Sequence, residues 1–186
     1  MELKPSVKNK LKLYLDELKK CSDSFNLCSF SKESLWQEVV ENSLIFADAI
    51  IKRKKKQDVK ICDVGSGAGI PGIILKIVLE EAEVDLIESN GKKAGFLENV
   101  SEMLKLKGLN ILNRDAREIA DKVKKRYNAV TGRAFGGRFL KCAEKLAAPG
   151  GIILYFKKEV SGSEFRKKPD EVLKYPDGFI LLWNNV

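Results

Sequence analysis

The chain has no histidine among its 186 residues. That absence removes Ser-His-Asp and Cys-His catalysis, in which an imidazole is the general base. Cysteine is scarce too: four stand at 21, 28, 62 and 142, and none forms a Cys-x-x-Cys pair. A zinc site would need thiolates and carboxylates at unusual spacings, so no metal is expected. So few cysteines do not staple a domain of this size. They read as reduced, small and mostly buried, which suits a cytoplasmic protein. Long apolar runs are missing as well. None approaches the ~18 residues that cross a bilayer. Met1 to Leu15 carries charges every two or three residues, unlike a secretory signal. There is no internal repeat and no long low-complexity stretch.

What is present is a globular composition, 44% hydrophobic and 32% charged. The length fits one domain, or one with a small appendage, and suffices to bury a core. The formal net charge is +8. Residues 1–60 carry an excess of +4, residues 61–137 only +1, and residues 138–186 +3. A polyanionic partner would therefore be met mainly by the flanks. The runs Lys52–Lys56, Lys122–Arg126 and Arg166–Lys168 are candidate phosphate contacts; any single run reads more readily as a solvated helix face or end, and the summed excess on the flanks points to one polyanion-facing surface.

Periodicity divides the chain into 1–57, a helical N-terminal extension, and 58–186, an α/β domain. Val7, Leu11, Tyr14, Leu15 and Leu18 form one helical stripe. Ser31 is a suitable N-cap for a second helix carrying Leu35, Trp36, Val39, Val40, Phe46 and Ile50 on one face. Thereafter short apolar runs alternate with helical patterns. Strands are expected at 59–64, 84–88, 109–112, 127–131 and 152–156, with a sixth at 179–183. Helices fall between the first five, the last closed by Pro149-Gly150-Gly151. This alternation implies right-handed crossovers and an open, mostly parallel sheet of the Rossmann-like kind.

The strongest local signal is Asp63-Val-Gly65-Ser-Gly67-Ala-Gly69-Ile-Pro-Gly72, between a predicted strand and a predicted helix. Such a loop lets backbone approach a ligand closely, and in this architecture ligands bind at the carboxyl ends of strands. The glycines read Gly-x-Gly-x-Gly from the strand end, unlike a dinucleotide fingerprint. Asp63 beside the loop would oppose a pyrophosphate but suit a cationic or amino-bearing ligand. Glu88 ends the second strand, where an acceptor-only carboxylate can take hydrogen bonds from both ribose hydroxyls of a nucleoside. Together Asp63, Gly65–Gly69 and Glu88 look like a class I S-adenosylmethionine site. The bland alternatives are a tight turn and a solvated strand-end carboxylate. A nicotinamide oxidoreductase would need a proton donor near the fourth or fifth strand, and none stands out.

Three segments carry a specific resemblance: Asp63 to Gly72, Glu88-Ser-Asn-Gly-Lys-Lys-Ala-Gly-Phe-Leu97, and Thr131-Gly-Arg-Ala-Phe135. They resemble the RsmG family, also called glucose-inhibited division protein B. The resemblance covers about residues 24–158 and is strongest over 61–135. It implies a class I methyltransferase using S-adenosylmethionine to methylate N7 of a guanine in 16S rRNA, guanine 527 near the decoding centre. It also implies roles for residues. Gly65, Gly67, Gly69 and Ile70 look like cofactor contacts, and Glu88 the ribose partner. Ala116 and Arg117 flank the adenine, with Asp115 competing for that place. Arg133 sits beside cofactor and reaction centre, and a structural ion pair is its alternative. Lys157, Phe135, Lys92 and Lys93 would meet the RNA. A monomer is expected.

The chain also departs from the family pattern. Val39 aligns with a histidine, Asn42-Ser43-Leu44 replaces an Asp-Ser-Leu ending, and Arg117 stands where an acid is usual. Only Phe179–Trp183 offers a strand after the fifth, so a short, incomplete sheet edge is expected. The absent histidine does not obstruct the implied chemistry. Guanine N7 has a lone pair and no proton to lose, so direct displacement on a sulfonium methyl needs no general base. Alignment of the reacting atoms can supply roughly 7–11 kcal/mol at best. The competing reading is a non-catalytic RNA-binding or ribosome-assembly module that retains the fold.

Overall fold

The computed structural model describes residues 2–25, 35–53, 59–133, 138–159, 165, 167–175 and 178–185. Helix α1 (Pro5–Phe25) is followed, after a segment outside the described residues, by a π-helical turn (Trp36–Glu41) that runs into α2 (Asn42–Arg53). The expected cap Ser31 and Cys28 lie outside the described residues. Strand β1 (Lys60–Val64), α3 (Gly72–Val78), β2 (Glu83–Ile87), α4 (Gly91–Met103), β3 (Leu109–Leu112), α5 (Ala116–Lys122), β4 (Tyr127–Arg133), α6 (Phe139–Leu146) and β5 (Ala147–Lys157) then alternate. Strands β6 (Glu171–Tyr175) and β7 (Gly178–Asn184) close the sheet.

The sheet order is β3-β2-β1-β4-β5-β7-β6. The first five strands are parallel, and β7 runs antiparallel between β5 and β6. The chain reverses its direction of strand addition between β1 and β4, the place where ligands of open α/β sheets bind. All five parallel strands deliver their carboxyl ends to that one edge.

Alternation within the strands feeds two cores, one on each sheet face. Ile61, Leu86, Ala129, Leu154 and Leu182 pack on one face with α1 to α4, against Leu11, Tyr14, Phe46, Ile50 and Ile73. Cys62, Val130, Ile153, Tyr155 and Trp183 point the other way, against Ala120, Phe139 and Leu146 of α5 and α6. The N-terminal helices thus share a core with the sheet. Among the described residues no helix is long and apolar enough to cross a membrane.

Three expectations change. The C-terminal edge holds two strands: the polar segment before residue 178 contains β6, so the sheet is complete at seven. Pro149-Gly150-Gly151 does not merely close a helix. It lies in the start of β5, where the pairing jumps from Tyr127↔Ala147 to Ala129↔Ile152. The second helix begins in a π turn, to whose Glu38 and Val39 carbonyls the Asn42 side-chain amide and the Ser43 hydroxyl of α2 donate.

Candidate active site

The glycine loop leaves β1 at Gly65, whose φ of +68° lies in the left-handed region that glycine enters without penalty. Its N–H and that of Ser66 both donate to the Ile87 carbonyl, tying the loop to the end of β2. Gly69 serves packing: a Cβ there would overlap Ile73 and come within 2.9 Å of Leu97, so its lack of side chain lets the loop sit between α3 and α4. Ile70 is buried beside it, only 7% exposed.

Glu88 is 7% exposed. One carboxylate oxygen accepts the Gly67 N–H at 2.8 Å and the other the Asn90 N–H at 2.7 Å. A carboxylate has about four acceptor positions, so both oxygens retain capacity for a ligand hydroxyl. The Asn113 side chain donates to the Glu88 carbonyl, holding the end of β2 against the end of β3. Asn90 caps α4, its side-chain oxygen accepting the N–H groups of Lys92 and Lys93. Those amides serve the helix start. The side chain of Lys92 is exposed and that of Lys93 half-buried.

Asp63 has a different place from its neighbours in sequence. It is fully buried. One oxygen accepts the Thr131 hydroxyl at 2.7 Å, from its register partner on β4, and the other the Gly72 N–H at 3.2 Å. The carboxylate therefore ties both ends of the loop to β4. Burial raises its pKa to about 6, against the pull of the Thr131 and Ser66 hydroxyls and the Gly72 amide. The ligand-facing acid expected from sequence is, in the structure, a brace behind the loop.

At the end of β3, Asp115 caps α5. Its carboxylate accepts the Arg117 N–H at 2.8 Å and grips the Arg117 guanidinium with both oxygens, at 2.9 and 2.6 Å. This pairing holds the Asp115 carboxyl at about 2, below the usual range. A cavity of about 260 Å³ opens here, lined by Gly65, Ile87, Ser89, Arg114, Asp115, Ala116, Arg117 and Arg138. Of the residues singled out from sequence, Gly65, Asp115, Ala116 and Arg117 line it, and Glu88 lies between two that do. Gly67, Gly69 and Ile70 belong to the same loop but are not among the lining residues. Ser89, Arg114 and Arg138 escaped the sequence reading. Ser89 and Arg114 abut residues it named, whereas nothing local marks Arg138.

Arg133 ends β4, outside the residues that line the cavity. Its guanidinium lies 4.5 Å from the centre of the Phe156 ring and donates to the Glu38 carbonyl of the π turn at 3.2 Å. Lys157 follows on β5, half-buried, with its ammonium 5.8 Å from the Phe165 ring centre. Phe135, Lys54–Lys56 and Arg166 lie outside the described residues. Cys62 and Cys142 are buried, and burial pushes both thiols above their ordinary pKa. Among the described residues no three His, Cys, Asp or Glu side chains gather as metal ligands would.

A family profile described as rRNA small subunit methyltransferase G matches residues 7–176. The chain is 31% identical over 173 residues to ribosomal RNA small subunit methyltransferase G 3 of Bdellovibrio bacteriovorus, a match covering 92% of this chain and 77% of that one. It is 36% identical over 128 residues to the methyltransferase G of Mycoplasma capricolum, covering 69% of this chain and 54% of that protein. This match therefore spans about half the relative's length. Among solved structures, a SAM-dependent methyltransferase from Aquifex aeolicus superposes with a TM-score of 0.59 at 16% identity, over 75% of this chain and 89% of that one. The fold is the Rossmann-like one of such methyltransferases.

Proposed function

The chain belongs to the rRNA small subunit methyltransferase G family, and from that premise we propose that it methylates N7 of one guanine of 16S rRNA, guanine 527, using S-adenosylmethionine. The observation that carries this reading is one cavity at the carboxyl ends of β1, β2 and β3, lined by Gly65, Ile87, Ser89 and Ala116, with Glu88 between two of its lining residues and bound to the Gly67 amide. The residues present fit the donor. Glu88 is a buried acceptor already preorganised by two backbone amides, and it suits a ribose diol. Gly65 leaves the approach open, and Ala116 presents a small apolar surface where an adenine would lie.

When bound, S-adenosylmethionine supplies a methyl group already activated by the sulfonium charge, open to in-line displacement by a lone pair. The chain's work is then to orient and to exclude water. Arg133 is the residue that faces the guanine, through its O6 edge or an adjoining phosphate, both of which a guanidinium matches. Phe156 beneath it and the Glu38 carbonyl beside it hold the guanidinium at the end of β4. Lys92, Lys93 and Lys157 take RNA phosphates, and Phe135 stacks on a base. Arg114 and Arg138, both exposed at the cavity, extend the same positive rim.

The test is to incubate the protein with methyl-labelled S-adenosylmethionine and unmethylated 16S rRNA, as extracted RNA and in small subunits, and to map the label. Label on a single guanine N7 is expected. RNA binding without label, in a protein that binds the donor, would instead make it a binding or assembly module.

A further inference from the structure

One side chain of helix α1 reaches the glycine loop. Tyr14 is fully buried, and its hydroxyl donates at 2.7 Å to the carbonyl of Ala68, 54 residues later. Ala68 stands between Gly67 and Gly69, whose φ values are +57° and +91°. In a trans peptide the C=O and the N–H point in opposite directions. Here the Ala68 C=O goes to Tyr14, and the N–H of the same peptide unit, that of Gly69, goes to the Ser66 carbonyl at 2.7 Å. The plane is held at both ends. The neighbouring Gly67 N–H goes to Glu88. Glycines populate many backbone states, so a loop built from them keeps one shape only when its peptides are tied from outside. Glu88 ties it from β2, Asp63 from β1, and Tyr14 from the N-terminal helix.

We propose that Tyr14 is a positioning residue for S-adenosylmethionine: it holds the Ala68–Gly69 peptide in the binding conformation and makes the N-terminal helix part of the cofactor site. This rests on reading the loop as that site. Tyr14 touches the loop and not the donor. Without its hydroxyl the loop samples other states, and apparent affinity falls by the fraction that remains competent.

The experiment is calorimetric titration of S-adenosylmethionine into the full chain and into Tyr14→Phe, which removes only the hydroxyl. The dissociation constant should rise about three- to tenfold, the range that one net hydrogen bond supports. In turnover, KM for S-adenosylmethionine should rise, while KM for RNA and kcat at saturating donor stay put. Hydrogen exchange supplies a second readout. The Gly69 amide should exchange faster in the unliganded variant and regain protection when donor is bound. Leu18→Ala, on the same buried face of α1, controls for packing: it should lower thermal stability and leave donor affinity unchanged. Equal donor affinity in Tyr14→Phe, or an equal loss in Leu18→Ala, would overturn the proposal. Failure of the unaltered protein to bind S-adenosylmethionine would instead overturn the reading of the loop, and this proposal with it.

Discussion

Replacing Asp63 with asparagine should change how stability depends on pH. Burial raises the Asp63 pKa from 3.8 to about 6. A raised native pKa means that the folded chain holds this proton more tightly than the unfolded chain does. The stabilisation is complete below about pH 3.8 and is lost as pH rises through about 6. The interval between those two values corresponds to about 3 kcal/mol. Asparagine is neutral throughout and nearly the same shape. Its oxygen can accept the Gly72 N–H. Its amide N–H can meet the Thr131 oxygen, whose proton can turn to the Cys62 carbonyl 3.5 Å away. Urea unfolding of both proteins from pH 4 to 8 measures the effect. The wild-type stability should fall relative to the variant by about 2–3 kcal/mol, mostly between pH 4 and 6, and then run parallel. Asp115, Glu83, Asp121 and Asp170, whose pKa values are lowered by their partners, are common to both chains and cancel. Parallel curves across the whole range would refute the assignment of Asp63 as a buried brace that ionises late.

Other substitutions test other parts of the site. Gly65→Val should abolish S-adenosylmethionine binding, because a branched side chain at φ +68° is strained and lies in the cavity wall; wild-type affinity by calorimetry would contradict this. Gly69→Ala should cost about 2–4 kcal/mol in urea unfolding, from overlap with Ile73 and Leu97 and from the left-handed backbone. Arg133→Ala should reduce kcat at least tenfold with little change in melting temperature, and unchanged turnover would leave Arg133 a purely structural residue. Lys92→Ala with Lys93→Ala should weaken RNA binding and lower the slope of log affinity against log salt by about 1.5–2. An unchanged slope would remove both side chains from the phosphate contacts.

Strands β1, β2, β4 and the second half of β5 were legible because each is a short apolar run buried on both faces and bounded by glycine or polar residues; β3, with Asn110 exposed, was marked by Leu109, Ile111 and Leu112 directly after Gly108. Strand β6 was not. It is an exposed edge, with Val172 47% exposed and Leu173 and Tyr175 only partly covered, so hydrophobicity hardly marks it. The π turn was hidden because it shares its apolar face with an ordinary helix. The glycine loop and Glu88 were readable from their positions at strand ends. Asp63 was misplaced, although strand parity held the clue: it shares a sheet face with Ile61, and Thr131 lies beside it in register. The cap at Asp115 has a sequence signal, an acid three residues on at Glu118 in the manner of a capping box. Arg138 had none, because it reaches the cavity only through the packing of α6 against the sheet.

The most direct measurement is a crystal structure of the full chain with S-adenosylhomocysteine, the demethylated donor. The expected result places the ribose hydroxyls on Glu88 and the adenine beside Ala116. Asp63 should still hold Gly72 and Thr131, and Tyr14 should still hold Ala68. A ligand bound elsewhere, or one with its ribose away from Glu88, would contradict the assignment of this cavity to the methyl donor.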